Sequence, residues 1–87
     1  MASTSAATVR VRFFARYAEL VGQSEAAVSV PLPATVRDVL RRVRDDFPGA
    51  RALPEQPLTA VNLKQVRLDA GVHDGDEVAL LPPIAGG

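Results

Sequence analysis

Glu77-Val78-Ala79-Leu80-Leu81-Pro82-Pro83-Ile84-Ala85-Gly86-Gly87 is the stretch from which the rest of the chain is read. Asp74-Gly75-Asp76 before it signals a turn. Glu77–Leu81 is apolar on both alternating sides, the pattern of a strand central in a sheet. Pro82 and Pro83 then fix φ and bias their predecessors towards extended geometry, which holds the following segment away from the body. Gly86 and Gly87 lack a Cβ and can enter a narrow channel. The stretch has no reactive side chain, so the chemistry it offers is that of the α-carboxyl of Gly87. A terminal glycine pair alone would arise by composition in roughly 0.5% of chains. The strand and the double proline before it carry the reading.

A central strand needs neighbours, and the chain supplies them. Thr35 to Phe47 predicts the main helix, with Val36, Val39, Leu40, Val43 and Phe47 as its apolar stripe. Thr35 can cap it reciprocally with Asp38, and Pro48-Gly49 ends it. Arg37, Arg41 and Arg44 line a flank that could hold phosphate. However, Asp38–Arg42, Arg41–Asp45 and Arg42–Asp46 at i,i+4 favour a solvated face instead.

Val9 to Phe14 alternates as a half-buried strand, with Val9, Val11 and Phe13 towards the core. Phe14 falls on the other side or at the strand end, where it is either a further core residue or the first candidate for an exposed contact residue. Ala15 to Val21, with Tyr17, Leu20 and Val21, predicts a short helix stopped by Gly22. Glu25 to Leu32 predicts a second strand, and Leu58 to Asn62 a third. Asn62 to Gln65 predicts a turn, and Val66 to Leu68 a short edge strand. The order predicts an α+β domain, with the main helix packed across one face of a mixed sheet. Residues 1–8 are expected to be a flexible N-terminal extension, 9–81 the domain and 82–87 an extended tail.

The chain has 87 residues, ten basic and ten acidic, enough for one small domain with no global field to draw in nucleic acid or a membrane. It has no cysteine, which excludes a thiolate nucleophile or a cysteine metal site within the chain. His73 is the single histidine and has no partners at ligand spacing, so no metal site is expected. Ser24 and Ser29 lack a triad partner, and no glycine-rich loop precedes a helix. Lys64 is the single lysine, an exposed loop charge and the one side-chain amine open to an isopeptide bond. No apolar run reaches the roughly 20 residues of a membrane span, and the start lacks the pattern of a signal peptide. A cytoplasmic protein is expected.

Three segments resemble the ubiquitin-like sulfur carriers of β-grasp fold, specifically the small subunit of molybdopterin synthase (MoaD type). They are Val11-Arg12-Phe13-Phe14-Ala15 followed by Glu19-Leu20-Val21-Gly22, then Ala60-Val61-Asn62, and finally Asp74 to Ala79 running into Pro82 to Gly87. The resemblance covers residues 9 to 87. It implies a five-stranded mixed sheet, a short helix after the first strand and a two-stage use of Gly87. An adenylyltransferase of the ubiquitin-activating type (MoeB type) would spend ATP to adenylate the carboxylate, and a sulfur donor enzyme would convert it to a thiocarboxylate. The tail would then deliver sulfur to a pterin precursor in the large subunit of molybdopterin synthase (MoaE type). This chain would bind no cofactor itself. Gly87 would carry the sulfur, and Gly86, Ala85, Ile84, Pro83 and Pro82 would thread the partner's channel. Phe14 and Leu81 would form a docking patch. Where the family often shows arginine in the first short helix, this chain has Ala18, with Arg16 nearby. The competing readings are a carrier for thiamine or cysteine biosynthesis, a ubiquitin-like protein modifier, and a plain interaction domain with an incidental tail.

Overall fold

The computed structural model describes residues 5–83, so the tail residues Ile84, Ala85, Gly86 and Gly87 lie outside the described part. The elements, in order, are β1 (Ala6–Phe13), α1 (Arg16–Val21), β2 (Glu25–Pro31), β3 (Ala34–Thr35) and α2 (Val36–Asp46). They continue with a 3-10 turn (Pro48–Ala52), β4 (Leu58–Val61), β5 (Lys64–Val66), β6 (Gly71–Val72) and β7 (Glu77–Leu81).

Five strands form one sheet in the order β2-β1-β7-β4-β5. The apolar last strand lies at its centre, as its composition predicts. It runs parallel to β1, with Val11 beside Val78 and Phe13 beside Leu80. It runs antiparallel to β4, with Thr59 opposite Leu80 and Val61 opposite Val78. The sheet is therefore mixed, with α2 across one face, the arrangement the resemblance implies. Alternation in β1 sends Ala7, Val9, Val11 and Phe13 into the core, where they meet Val28 and Val30 of β2 and Val36, Val39, Leu40 and Val43 of α2. The capping box forms as predicted. The Asp38 amide donates to Thr35 Oγ1 at 3.4 Å, and the Thr35 amide donates to Asp38 Oδ2 at 2.9 Å.

Four features depart from the sequence reading. β1 begins at Ala6 rather than Val9, so residues 6–8 belong to the sheet and not to an N-terminal extension; Ala7 is fully buried opposite Val30. Alanine and threonine hide this continuation because their hydropathy is too weak to mark a face. The fourth strand of the reading, at Val66–Leu68, is displaced to Lys64–Val66. Asn62 and Leu63 both take positive φ, 50° and 72°, in a two-residue hairpin turn that registers Val61 against Lys64. Leu20, read as an apolar member of the short helix, is 41% exposed, and Tyr17 carries that helix's burial. A second, two-stranded sheet of β3 and β6 also forms, which no local pattern announces.

The 3-10 turn packs against α1 at Gly49. A Cβ placed there would run into the Leu20 carbonyl oxygen and crowd the backbone of Leu20 and Val21. Gly49 is therefore required by close backbone approach and not only by helix termination. Gly49→Ala is expected to cost on the order of 2 kcal/mol and lower Tm by roughly 10 °C. A thermal melt indistinguishable from that of the parent would refute the close approach.

Candidate functional site

On the face of the sheet away from α2, the strand registers decide which side chains meet. Core residues alternate with outward ones, so Arg10 and Arg12 of β1, Glu77, Ala79 and Leu81 of β7, and Leu58 and Ala60 of β4 share this face. Leu58 pairs with Leu81, Ala60 with Ala79, and Arg12 with Ala79. Just past β1, the Phe14 amide donates to the Leu80 carbonyl at 3.3 Å, which continues the ladder and sets Phe14 beside Leu81. The predicted pair, Phe14 and Leu81, is thus brought together where β7 passes into Pro82 and Pro83. Both are half-buried, as is Pro82, whereas Pro83 is exposed.

The sequence reading missed Leu58, which is 41% exposed and faces Leu81 across the ladder. Its signal was an apolar side chain out of phase with buried Thr59 and placed directly after Pro57. Phe14, Leu58 and Leu81 form an apolar patch at the base of the tail.

The patch has a charged border. Arg10 Nε lies 3.3 Å from Glu25 Oε2, and Arg10 Nη2 lies 3.5 Å from Glu77 Oε1. Arg12 Nη1 lies 3.7 Å from Glu77 Oε2, and its guanidinium carbon stands 5.1 Å from the centroid of the Phe14 ring. Each exposed pair adds little stability by itself. Together they confine Arg12 over one face of Phe14.

Phe14 is also held from the backbone side. Ala15 sits at φ 53°, ψ −129°, a region almost reserved for glycine. The Tyr17 amide donates to the Phe14 carbonyl at 3.0 Å, closing a tight turn with Ala15 at its first central position. That turn lets the chain leave β1 and enter α1 within three residues, so Phe14 stays in line with the sheet.

Other candidate residues lie elsewhere. His73 is at the turn before β7, the end opposite Leu81, where its Nδ1 is 3.9 Å from Asp76 Oδ2. Lys64 is exposed beside the hairpin turn, next to Leu63, which is 88% exposed. Among the described residues no group of three or more His, Asp or Glu could hold a metal ion. No helix there is long and apolar enough to cross a membrane.

Comparison with known proteins places this geometry among relatives. The ThiS family model matches residues 11–87. The molybdopterin synthase sulfur carrier subunit of Escherichia coli is 39% identical over 82 residues, covering 91% of this chain and 99% of that protein. The crystal structure of small archaeal modifier protein 1 from Haloferax volcanii superposes with a TM-score of 0.80 at 29% identity, covering 90% of this chain and 99% of that one. A chain in the BexX/CysO complex of Amycolatopsis orientalis gives a TM-score of 0.68 at 27% identity, covering 91% of this chain and 99% of its own.

The strained turn yields its own test. Ala15→Gly removes a conformational penalty of about 1–3 kcal/mol and adds chain entropy to the unfolded state worth somewhat less. The variant is expected to melt a few degrees higher, by calorimetry. A lower Tm would show that Ala15 is not strained.

Proposed function

This chain belongs to the ThiS family and is a sulfur carrier of the MoaD/ThiS type, and from that premise we propose that it delivers sulfur on the α-carboxyl of Gly87 to molybdopterin synthesis. The observation that carries the reading is the place where Pro82 and Pro83 leave the sheet. There the chain passes from the central strand alongside an apolar patch of Phe14, Leu58 and Leu81, and its family match runs to Gly87.

The chemistry follows from what the chain lacks in side chains. A carboxylate is a poor electrophile until its oxygen is given a better leaving group. In the proposed first stage the Gly87 carboxylate attacks the α-phosphorus of ATP on an activating enzyme of the MoeB type, forming the acyl-adenylate and releasing pyrophosphate. Sulfur from a donor enzyme then displaces AMP and leaves a thiocarboxylate. In the second stage that sulfur attacks the pterin precursor in the large synthase subunit, of the MoaE type, and water then cleaves the bond between the acyl carbon and the sulfur, returning the Gly87 carboxylate. Catalytic acids, bases and the ATP site belong to the partners on this reading, and this chain supplies shape. Gly86 permits passage through a narrow channel, Ala85, Ile84, Pro83 and Pro82 line its entry, and Phe14 and Leu81 dock beside it. The likeness to a chain solved in a complex supports a carrier that works while bound to a partner.

A second reading is a protein modifier, and the likeness to small archaeal modifier protein 1 favours it. Conjugates joining Gly87 to substrate lysines would establish it.

The decisive test is an intact mass of the chain after incubation with the activating enzyme, ATP and a sulfur source, beside a variant lacking Gly87. The expected result is a gain equal to exchange of one oxygen for one sulfur, absent from the variant. No gain with an enzyme shown to be competent would end the carrier reading. Phe14→Ala is expected to weaken binding to the large subunit by roughly 30-fold, the scale of an interfacial aromatic anchor. Unchanged affinity in a titration calorimeter would remove Phe14 from the interface.

A further inference from the structure

The arginine flank of α2 is solvated as its spacing predicts, but only part of it is paired. Arg42 reaches Asp46 at 3.2 Å, and Arg41 stands 4.0 Å from Asp38. The predicted pairs Asp38–Arg42 and Arg41–Asp45 do not form among the described residues, and there Arg37, Arg44 and Arg67 have no carboxylate partner within 4.0 Å. Arg44 instead donates to the Pro54 carbonyl. Beyond the Thr59–Val66 pair, the chain entering β4 and the chain leaving β5 diverge and open a groove of about 480 Å³. Arg37, Gln56, Leu58, Val66, Arg67 and Leu68 line it. Through Arg37, Gln56 and Leu68 it continues into a second section along α2, bordered by Arg41, Arg44 and Glu55. With Arg41 paired to Asp38, three arginines, Arg37, Arg44 and Arg67, border the groove beside two carboxylates, Asp69 and Glu55, in a chain of zero net charge.

We propose that this groove binds an extended acidic peptide segment of a partner that docks on the sheet face. The inference rests on the carrier reading for the partner, though not for the groove itself. Three observations choose the occupant. The lining mixes apolar Leu58, Val66 and Leu68 with arginines, which suits a strand whose alternate side chains are apolar and acidic. The first free amides of α2 are already used, Val36 donating to the Ala70 carbonyl and Arg37 to that of Leu68, so they offer no amide cradle for a compact phosphate. No aromatic side chain lines either section, so nucleic-acid bases have nothing to stack on. Leu58 of the apolar patch is also one of the residues that border the groove.

The test begins with the chain alone. The 15N-labelled protein is titrated with a blocked peptide of alternating glutamate and leucine. Amide shifts are expected at residues 37–44 and 66–69, with affinity falling as salt rises. The Arg37→Ala, Arg44→Ala, Arg67→Ala triple variant, confirmed folded by its own spectrum, is expected to lose at least tenfold in affinity. Shifts elsewhere, an unchanged triple variant, or an equal response to inorganic phosphate or a single-stranded oligonucleotide would overturn the proposal. In a second arm the same variant is expected to bind either the activating enzyme or the large synthase subunit about tenfold more weakly at low salt. Unchanged affinity for both also overturns it. Failure of the unaltered chain to bind either enzyme counts against the carrier reading, while the peptide titration still decides the groove.

Discussion

The parallel pairing of β1 with β7 is the interaction on which the rest of this molecule depends. It joins the first strand to the last and places Val11, Phe13, Val78 and Leu80 in one buried layer beneath α2. β7 is paired on both edges, Val78, Ala79 and Leu80 are buried, and the strand has little polar character beyond Glu77. The same pairing sets Phe14 beside Leu81 on the outer face. The core and the apolar patch are two consequences of one register, since a slip of β7 by one residue would exchange its buried and outward side chains.

Much of this was legible in the sequence because the informative residues are strongly apolar or strongly polar. Val9, Val11 and Phe13 could only be one face of a strand, and Val36, Val39, Leu40 and Val43 one face of a helix. Thr35 and Asp38 announced the helix start through local hydrogen bonding. Phe14 could be named because it ends an apolar strand out of phase with its core, and Leu81 because the family resemblance implies a patch beside the tail. What escaped depends on partners remote in sequence. The two-residue strands β3 and β6 exist only through each other. Leu58 becomes a surface residue only once β4 pairs with β7. Ala15 gives no sign of its positive φ, because the glycine usual in that position is missing.

The arginines of α2 show how a pattern can mislead. Spacing at i,i+4 identifies which side chains are able to pair, and the structure decides which do. Asp38 is engaged by the Thr35 backbone amide and hydroxyl as part of the capping box. A carboxylate committed to capping is a poorer partner for Arg42. The positive charge that remains is gathered at one groove by Arg67, which no helical spacing relates to Arg37. Overall neutrality conceals this separation, because a summed charge carries no position.

Because the central strand of the sheet is also the last to be made, synthesis itself imposes an order. During translation β1 and β2 can pair and α2 can form, yet the middle of the sheet remains open until β7 has left the ribosome. The side of β1 that will receive β7 stays unpaired through most of that time, an exposed edge open to wrong partners. Folding therefore finishes only once the last of the described strands is delivered. A chain cut short before β7 would leave the sheet without its middle strand, parting β1 from β4, and would not hold a stable domain.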